Sequence, residues 1–192
     1  MIRYTVTSGP ASEPVTRAEA KAWLKIRTAN TADDTLIDTL ISTARREYEH
    51  ESGEFTITRT VVEYFDAWPA GRVITLTAGP VSAVTTVGYK DEDGNSQTFA
   101  GAGYTTDIIG HHARVVLNED YDWPDLFNGP NAVFITYSAG FASASVVPET
   151  AKTAILTRLT MLYQNREDMP LGGMPGKRTF ESLSNRRRRH LI

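Results

Sequence analysis

"EPVTRAEAKAWLKI", residues 13–26, begins a helix. Thr16 is followed three residues later by Glu19, which is the spacing of a capping box, in which each side chain accepts a hydrogen bond from the other residue's backbone N–H. The apolar residues that follow share one helical face: Ala20, Trp23 and Leu24. The stretch therefore predicts a short helix that ends near residue 26.

A second helix is predicted from about Asp34 to Ser52. Its apolar residues recur at helical spacing: Leu36, Ile37, Leu40, Ile41, Ala44 and Tyr48. Four charged residues are expected to lie off this apolar stripe: Arg45, Arg46, Glu47 and Glu49. Gly53 follows at a position where glycine commonly ends a helix.

The middle of the chain, from Thr56 to residue 140, has the composition of β-strands. Short runs rich in Val, Ile, Thr and aromatic residues alternate with Gly, Pro, Asp and Asn, so about seven strands are expected. The sequence DEDGN at residues 91–95 predicts a hairpin turn, because Asp-Gly tolerates the positive φ of a tight turn. This spacing is typical of a small antiparallel sandwich or barrel.

A third helix is predicted to begin at Pro148 and to pack on the first two, because neither end of the chain alone buries its apolar face. The predicted fold class is α+β, with a small helical bundle, an inserted antiparallel β sandwich or barrel, and an extended basic C-terminal arm. The expected domains are 1–55 (an N-terminal strand and two helices), 56–140 (the β module), 141–168 (the rest of the helical domain) and 169–192 (a hinge and the arm).

The C-terminal arm follows the segment DMPLGGMPG, whose prolines and glycines cannot continue a helix and so predict a hinge. Beyond the hinge, a short helix with Phe180 and Leu183 on one side is expected outside the core, where it needs a partner to be stable. Residues 176–192 carry a net charge of +5, whereas the rest of the chain carries −8. The arginine run at 186–189 could bind phosphates, dock on an acidic protein or remain solvated, but the acidic body argues against a sequence-reading DNA-binding protein.

The sequence offers no support for catalysis. It contains no cysteine, no nucleophile elbow and no phosphate-binding loop. The turn at Asp91–Asn95 alternates like a calcium loop but has its glycine at the wrong position. No run approaches about 18 apolar residues, the length of a membrane span. We therefore predict no enzyme activity, no cofactor, no metal and no membrane partner.

The aromatic and acidic stretch YDWPDLF, residues 121–127, has two interpretations. Its rings either fold over the β core or form an exposed loop that binds a partner. In the second case the contact residues would be Tyr121, Trp123 and Phe127.

The order of these segments resembles one protein family. EPVTRAEAKAWLKI, DDTLIDTLISTARREYEHESG, a β-rich middle, VPETAKTAILTRLTMLYQNRED and a basic end are similar to the head-tail connector (adaptor) proteins of tailed bacteriophages, prophages and gene-transfer particles, which are grouped with the HK97-type connector. The resemblance implies a structural virion protein at the neck, assembled in the host bacterial cytoplasm.

The resemblance also implies partners and contact residues. Such proteins form a ring, usually of twelve copies, which connects the portal to a stopper or tail protein and extends the DNA channel close to the double-stranded DNA. The portal-docking arm would comprise Phe180, Leu183, Arg186, Arg187, Arg188, Arg189, His190, Leu191 and Ile192. Contacts to a neighbouring subunit or the channel would come from Arg45, Arg46, Glu47 and Glu49. The alternative is a DNA-packaging or nucleoid factor that binds DNA through the arginine run.

Overall fold

The computed structural model describes residues 4–110, 112–164 and 177–185, and only the backbone of Lys177 and Arg178. The helices are α1 (Arg17–Trp23), α2 (Asp34–Ser52), α3 (Glu149–Gln164) and α4 (Lys177–Asn185). The strands are β1 (Tyr4–Val6), β2 (Arg59–Phe65), β3 (Val73–Thr75), β4 (Val81–Lys90), β5 (Ser96–Thr98), β6 (Tyr104–Asp107), β7 (Arg114–Leu117) and β8 (Val133–Ala139). The predicted α+β class is confirmed.

The described residues divide into two compact units. The helical unit contains residues 11–57 and 141–164 together with α4, and the β unit contains residues 4–10 and 58–140. Because β1 pairs with β2, the N-terminal strand belongs to the β unit.

The start of α1 and the extent of α2 follow the sequence signals, but α1 ends at Trp23, three residues before the predicted end near residue 26, because Lys25 leaves the helix with a φ of 59°. The Thr16 backbone N–H donates to the Glu19 carboxylate at 2.7 Å, and the Glu19 N–H donates to the Thr16 hydroxyl at 3.2 Å, which confirms the capping box. The predicted extent of α2 is also confirmed, and Gly53 ends it with a φ of 70°. A left-handed residue at this position lets the chain leave the helix without a Cβ clash.

The core of the helical unit draws on all four helices and on the segments beside them. It contains Val15, Ala20, Ile37, Ile41, Ala44, Tyr48, Ile57, Val147, Ala151, Ala154, Ile155, Leu159, Met161 and Phe180. Phe180 comes from α4, so the prediction that the tail stands outside the core is wrong for this helix. The short amphipathic helix needs a partner for its apolar side, and its own chain supplies one through α2 and α3. The predicted hinge falls within residues 165–176, outside the described residues.

The β unit contains two antiparallel sheets. One has the strand order β1-β2-β8-β4-β5 and the other the order β3-β7-β6. Seven of these strands, β2 to β8, fall in the region where about seven were predicted. The hairpin turn between β4 and β5 is confirmed by Gly94, with a φ of 84°, and by the Asn95 N–H, which donates to the Asp91 carboxylate at 2.8 Å. The sheets are arranged as a sandwich and not as a closed barrel.

The central strands β2 and β8 alternate buried and half-buried residues, so one face of the five-stranded sheet is inward. This inner face includes the carboxylate of Glu63, which is 2 % exposed. It accepts hydrogen bonds from the Tyr137 hydroxyl at 2.8 Å, the Thr77 hydroxyl at 2.8 Å and the Thr77 N–H at 3.1 Å. Thr77 follows β3, so this buried network ties the two sheets together. Burial nevertheless raises the pKa of Glu63 above its ordinary value, against the effect of these hydrogen bonds.

We expect Glu63→Gln to equal or exceed the wild type in stability at neutral pH. An amide can keep all three hydrogen bonds if the Thr77 hydroxyl turns to accept, and it carries no buried charge. Because the pKa of Glu63 is raised on folding, its favourable contribution is complete below the ordinary pKa of 4.5 and is lost as the pH rises through the higher native value. Urea unfolding across this range should show the wild type gaining on Glu63→Gln as the pH falls. A stability difference that does not change with pH would contradict the prediction.

Glu63→Ala should behave differently from Glu63→Gln, because it leaves buried donors without an acceptor. We expect it to lower the free energy of unfolding by about 1–3 kcal/mol, measured by the same urea unfolding.

Candidate functional site

Two of the four charged residues predicted on the outer face of α2 lie inside the helical unit. The side chain of Arg45 is 4 % exposed and that of Glu49 is 7 % exposed. Arg45 Nη1 donates to Glu49 at 2.8 Å, and Arg45 Nε donates to Glu13 at 2.7 Å. The second carboxylate oxygen of Glu49 accepts from the hydroxyl and the backbone N–H of Thr56, at 2.8 and 3.0 Å. The prediction that Arg45 and Glu49 lie off the buried stripe is therefore wrong, because ion pairing allows both charges to be buried.

The other two residues of this set keep an outward position. Arg46 is exposed and Glu47 is half-buried. The Glu47 carboxylate pairs with the Arg158 guanidinium on α3 through Nε and, at 3.0 Å, through Nη2. Arg158 also lies over the Phe180 ring, 5.8 Å from its centroid, which is a cation–π geometry.

These side chains border an open cleft of about 330 Å³ in the helical unit. It is lined by Arg46, Glu47, His50, Glu51, Arg158, Phe180 and Glu181. Its charges are of both signs and it has an apolar edge at Phe180, so it can accept a mixed polar and apolar protein segment. Arg158 could not be selected from the sequence, because a single arginine in a helix is usually solvated.

The predicted docking arm is only partly described. Phe180 is 6 % exposed and Leu183 packs against the same helical core. Arg186, Arg187, Arg188, Arg189, His190, Leu191 and Ile192 lie outside the described residues. Within the described part, the apolar anchors are therefore occupied by their own chain.

In the loop at 121–127, Trp123 folds onto the β unit. Its ring stacks on Trp68, with centroids 4.3 Å apart and an interplanar angle of 10°, and its indole N–H donates to the Gly71 carbonyl at 3.0 Å. The Trp68 indole in turn donates to the Pro124 carbonyl at 2.9 Å. Tyr121 and Phe127 remain 38 % and 37 % exposed. The structure thus places Trp123 within the fold and leaves the other two rings partly accessible.

Among residues 4–110, 112–164 and 177–185, no group of acidic or histidine side chains is arranged to hold a metal ion. In the same part of the chain, no helix has the length and apolar character needed to cross a membrane.

The fold is shared with chains of solved particle structures. No protein-family model and no curated protein matches the sequence, but solved structures match nearly the whole chain. A chain from the neck of an empty gene transfer agent (GTA) particle, computed with C6 symmetry, aligns with a TM-score of 0.81 and 23 % identity over 99 % of this chain and 97 % of that one. A chain from the virion of a native GTA particle gives a TM-score of 0.79 at 22 % identity, covering 98 % of this chain and 96 % of that one.

A third similar chain comes from the neck of a native GTA particle, computed with C12 symmetry. It has a TM-score of 0.77 and 22 % identity, and the alignment covers 100 % of this chain and 97 % of that one. The resemblance inferred from the sequence is confirmed at the level of the fold.

Proposed function

We propose that this chain is a structural neck protein that forms a ring between the portal and the tail or stopper of a phage-like particle. The observation that supports this most is the fold shared along the whole chain with neck chains of GTA particles, at TM-scores of 0.77–0.81. The C6 and C12 symmetry of those necks supports a ring of neighbouring copies, of which twelve is the expected number. The role is structural and not catalytic, its location is the virion neck, and its assembly takes place in the host bacterial cytoplasm.

Within this proposal the residues take different roles. Arg46 and Glu47 are the candidates for contacts to a neighbouring subunit or the channel, because Arg45 and Glu49 are buried. Tyr121 and Phe127 are candidates for contact with the downstream stopper or tail protein. The segment 186–192 is the candidate portal-docking arm, with its arginines pairing bidentately with carboxylates of the portal or donating to its backbone carbonyls.

The charge distribution supports a channel through which DNA passes without binding tightly. Residues 58–140 contain four Lys or Arg against ten Asp or Glu. An acidic surface of this kind repels the phosphate backbone, so DNA close to it would slide and not adhere.

The portal-binding test must leave α4 in place, because removal of residues 176–192 would also remove Phe180 from the helical core. We expect the full-length chain to join its cognate portal in a ring visible by native mass spectrometry or electron microscopy. Deletion of 186–192, and replacement of the four arginines by glutamine, should each weaken that complex by at least about tenfold, since several charge-assisted contacts are lost per subunit. Replacement of exposed Lys25 and Arg27 by glutamine is the control for the loss of positive charge elsewhere.

Two results would contradict the proposal in different ways. Equal ring assembly with and without 186–192 would remove the docking role of the arm. Failure of the full-length chain to join the portal, combined with salt-sensitive DNA binding that is lost in the glutamine variant, would favour the DNA-packaging alternative.

A further inference from the structure

The outer face of the five-stranded sheet carries an open groove of about 540 Å³. Its lining residues come from all five strands of this sheet and from one loop: Thr5, Tyr64, Lys90, Ser96, Phe134 and Asn131. Tyr64 and Phe134 are direct cross-strand partners on β2 and β8, and both are half-buried. They give the groove an aromatic floor, while the other lining residues are polar.

The floor of this groove depends on a glycine. Strand β8 lies between β2 and β4, and the partner of Phe134 on β4 is Gly88. A Cβ at position 88 would lie 2.2 Å from the nearest atom of the Phe134 ring. The ring therefore occupies the space that any other residue would fill, and it lies flat against the sheet.

The opposite layer of the β unit presents an exposed apolar tip at residues 108–110, between β6 and β7. Ile109 is 88 % exposed, so its side chain makes almost no contact with its own chain. The tip is nevertheless held in shape: the Ile109 N–H donates to Asp107 Oδ1 at 3.1 Å, and Arg114 Nε donates to Asp107 Oδ2 at 3.2 Å. Gly110, with a φ of 110°, makes the turn that follows. A pre-ordered tip loses little conformational entropy on binding.

The tip cannot fill the groove of its own chain. It belongs to the three-stranded sheet, whereas the groove lies on the outer face of the other sheet, and stacked sheets are about 10 Å apart. The tip joins two paired strands, so it cannot extend around the edge of the sandwich. A ring needs a heterologous interface, in which one surface of a subunit meets a different surface of the next. The tip and the groove are two such surfaces on one compact unit.

We propose that Ile109 of one copy inserts into the groove over Tyr64 and Phe134 of the next copy, so that the β units form a head-to-tail ring contact. This inference rests on the ring assembly proposed above and names the surfaces that make it. The occupant is a second copy of this chain, because the apolar tip complements the aromatic floor and both are present once in every subunit.

Disulfide cross-linking tests this contact directly, because the natural sequence has no cysteine. Full-length Ile109→Cys is mixed with full-length Ser96→Cys and treated with a mild oxidant over a series of protein concentrations. We expect a cross-linked dimer that contains one copy of each variant. The matched control is Ser82→Cys, an exposed serine near the other end of β4, roughly 25 Å along the strand from Lys90. The Ser96 pair should yield at least about tenfold more cross-linked product than the Ser82 pair, since contact gives a high effective concentration.

The outcomes separate this inference from the proposed function. Equal cross-linking with Ser96→Cys and Ser82→Cys would overturn the contact, whatever the portal experiment shows. If the wild type forms a ring on the portal but the Ser96 pair does not cross-link preferentially, the ring stands and the contact is wrong. Preferential cross-linking without portal binding supports the contact between copies and contradicts the neck function. Ile109→Asp, which changes only an exposed side chain, should leave the melting temperature unchanged and lower ring formation at least about tenfold.

Discussion

Replacing Arg45 with alanine should lower the free energy of unfolding of the helical unit by about 3–5 kcal/mol, the usual cost of removing one partner from a buried ion pair. The guanidinium is held by Glu13 and Glu49, and its side chain is 4 % exposed. Burial alone would lower the pKa of Arg45, but the hydrogen bond to Glu13 and the charge of Glu49 outweigh this effect and raise it. The variant would remove the Arg45 guanidinium from the buried Glu49 carboxylate.

The neighbouring residue provides the control, since Arg46→Ala removes the same side chain from an exposed position. Its effect should stay within about 0.5 kcal/mol. Urea unfolding of both variants measures the difference, and Arg45→Met separates the loss of charge from the loss of aliphatic packing. Equal effects at positions 45 and 46 would show that the Arg45 ion pair does not contribute to stability. In that case Arg45 would return to the set of candidate contact residues.

Replacing Phe180 with alanine should cost about 3 kcal/mol and release α4 from the helical unit. Phe180 is 6 % exposed, packs in the core cluster and lies beneath the Arg158 guanidinium. Truncation of a buried phenylalanine to alanine costs about 3–5 kcal/mol, and a nine-residue helix without a partner is not stable in water. The stability lost in Phe180→Ala cannot exceed the free energy with which α4 docks on the other helices. Once that free energy is lost, α4 detaches and the rest of the helical core stays folded.

Two measurements check this result. Urea unfolding gives the change in stability, and limited trypsin digestion at Lys177 and Arg178 reports whether α4 is docked. Phe127→Ala, the same substitution at a 37 % exposed ring of the β unit, should have a smaller effect and leave the digestion unchanged. If Phe180→Ala is as stable and as resistant as the wild type, α4 is not docked in solution. Phe180 would then be free to bind the portal, as the sequence first suggested.

Local signals in the sequence predicted most of the fold. The capping box at Thr16, the extent of α2 to Gly53 and the turn before Asn95 each depend on interactions within a few residues, so their patterns determine them. The number of strands also followed from the alternation of apolar runs and turn residues. These features need no knowledge of what packs against them.

Features that depend on distant partners could not be predicted in the same way. The sequence predicts Arg45 and Glu49 at the surface because charged residues are rarely buried, and nothing in the pattern around them shows that Glu13 and Thr56 are their partners. The position of the Trp123 ring on the β unit could not be predicted either, because the ring stacks on Trp68, which lies more than fifty residues earlier in the chain. The groove at Tyr64 and the tip at Ile109 could be recognised only once the two sheets were known to place them on different layers.

The docked α4 also affects how much apolar surface the chain exposes. An uncovered apolar helix face is a site of aggregation. By packing α4 on α2 and α3, the chain buries Phe180 and partly buries Leu183. The contact that stabilises the helical unit therefore also removes an apolar surface on which aggregation could begin.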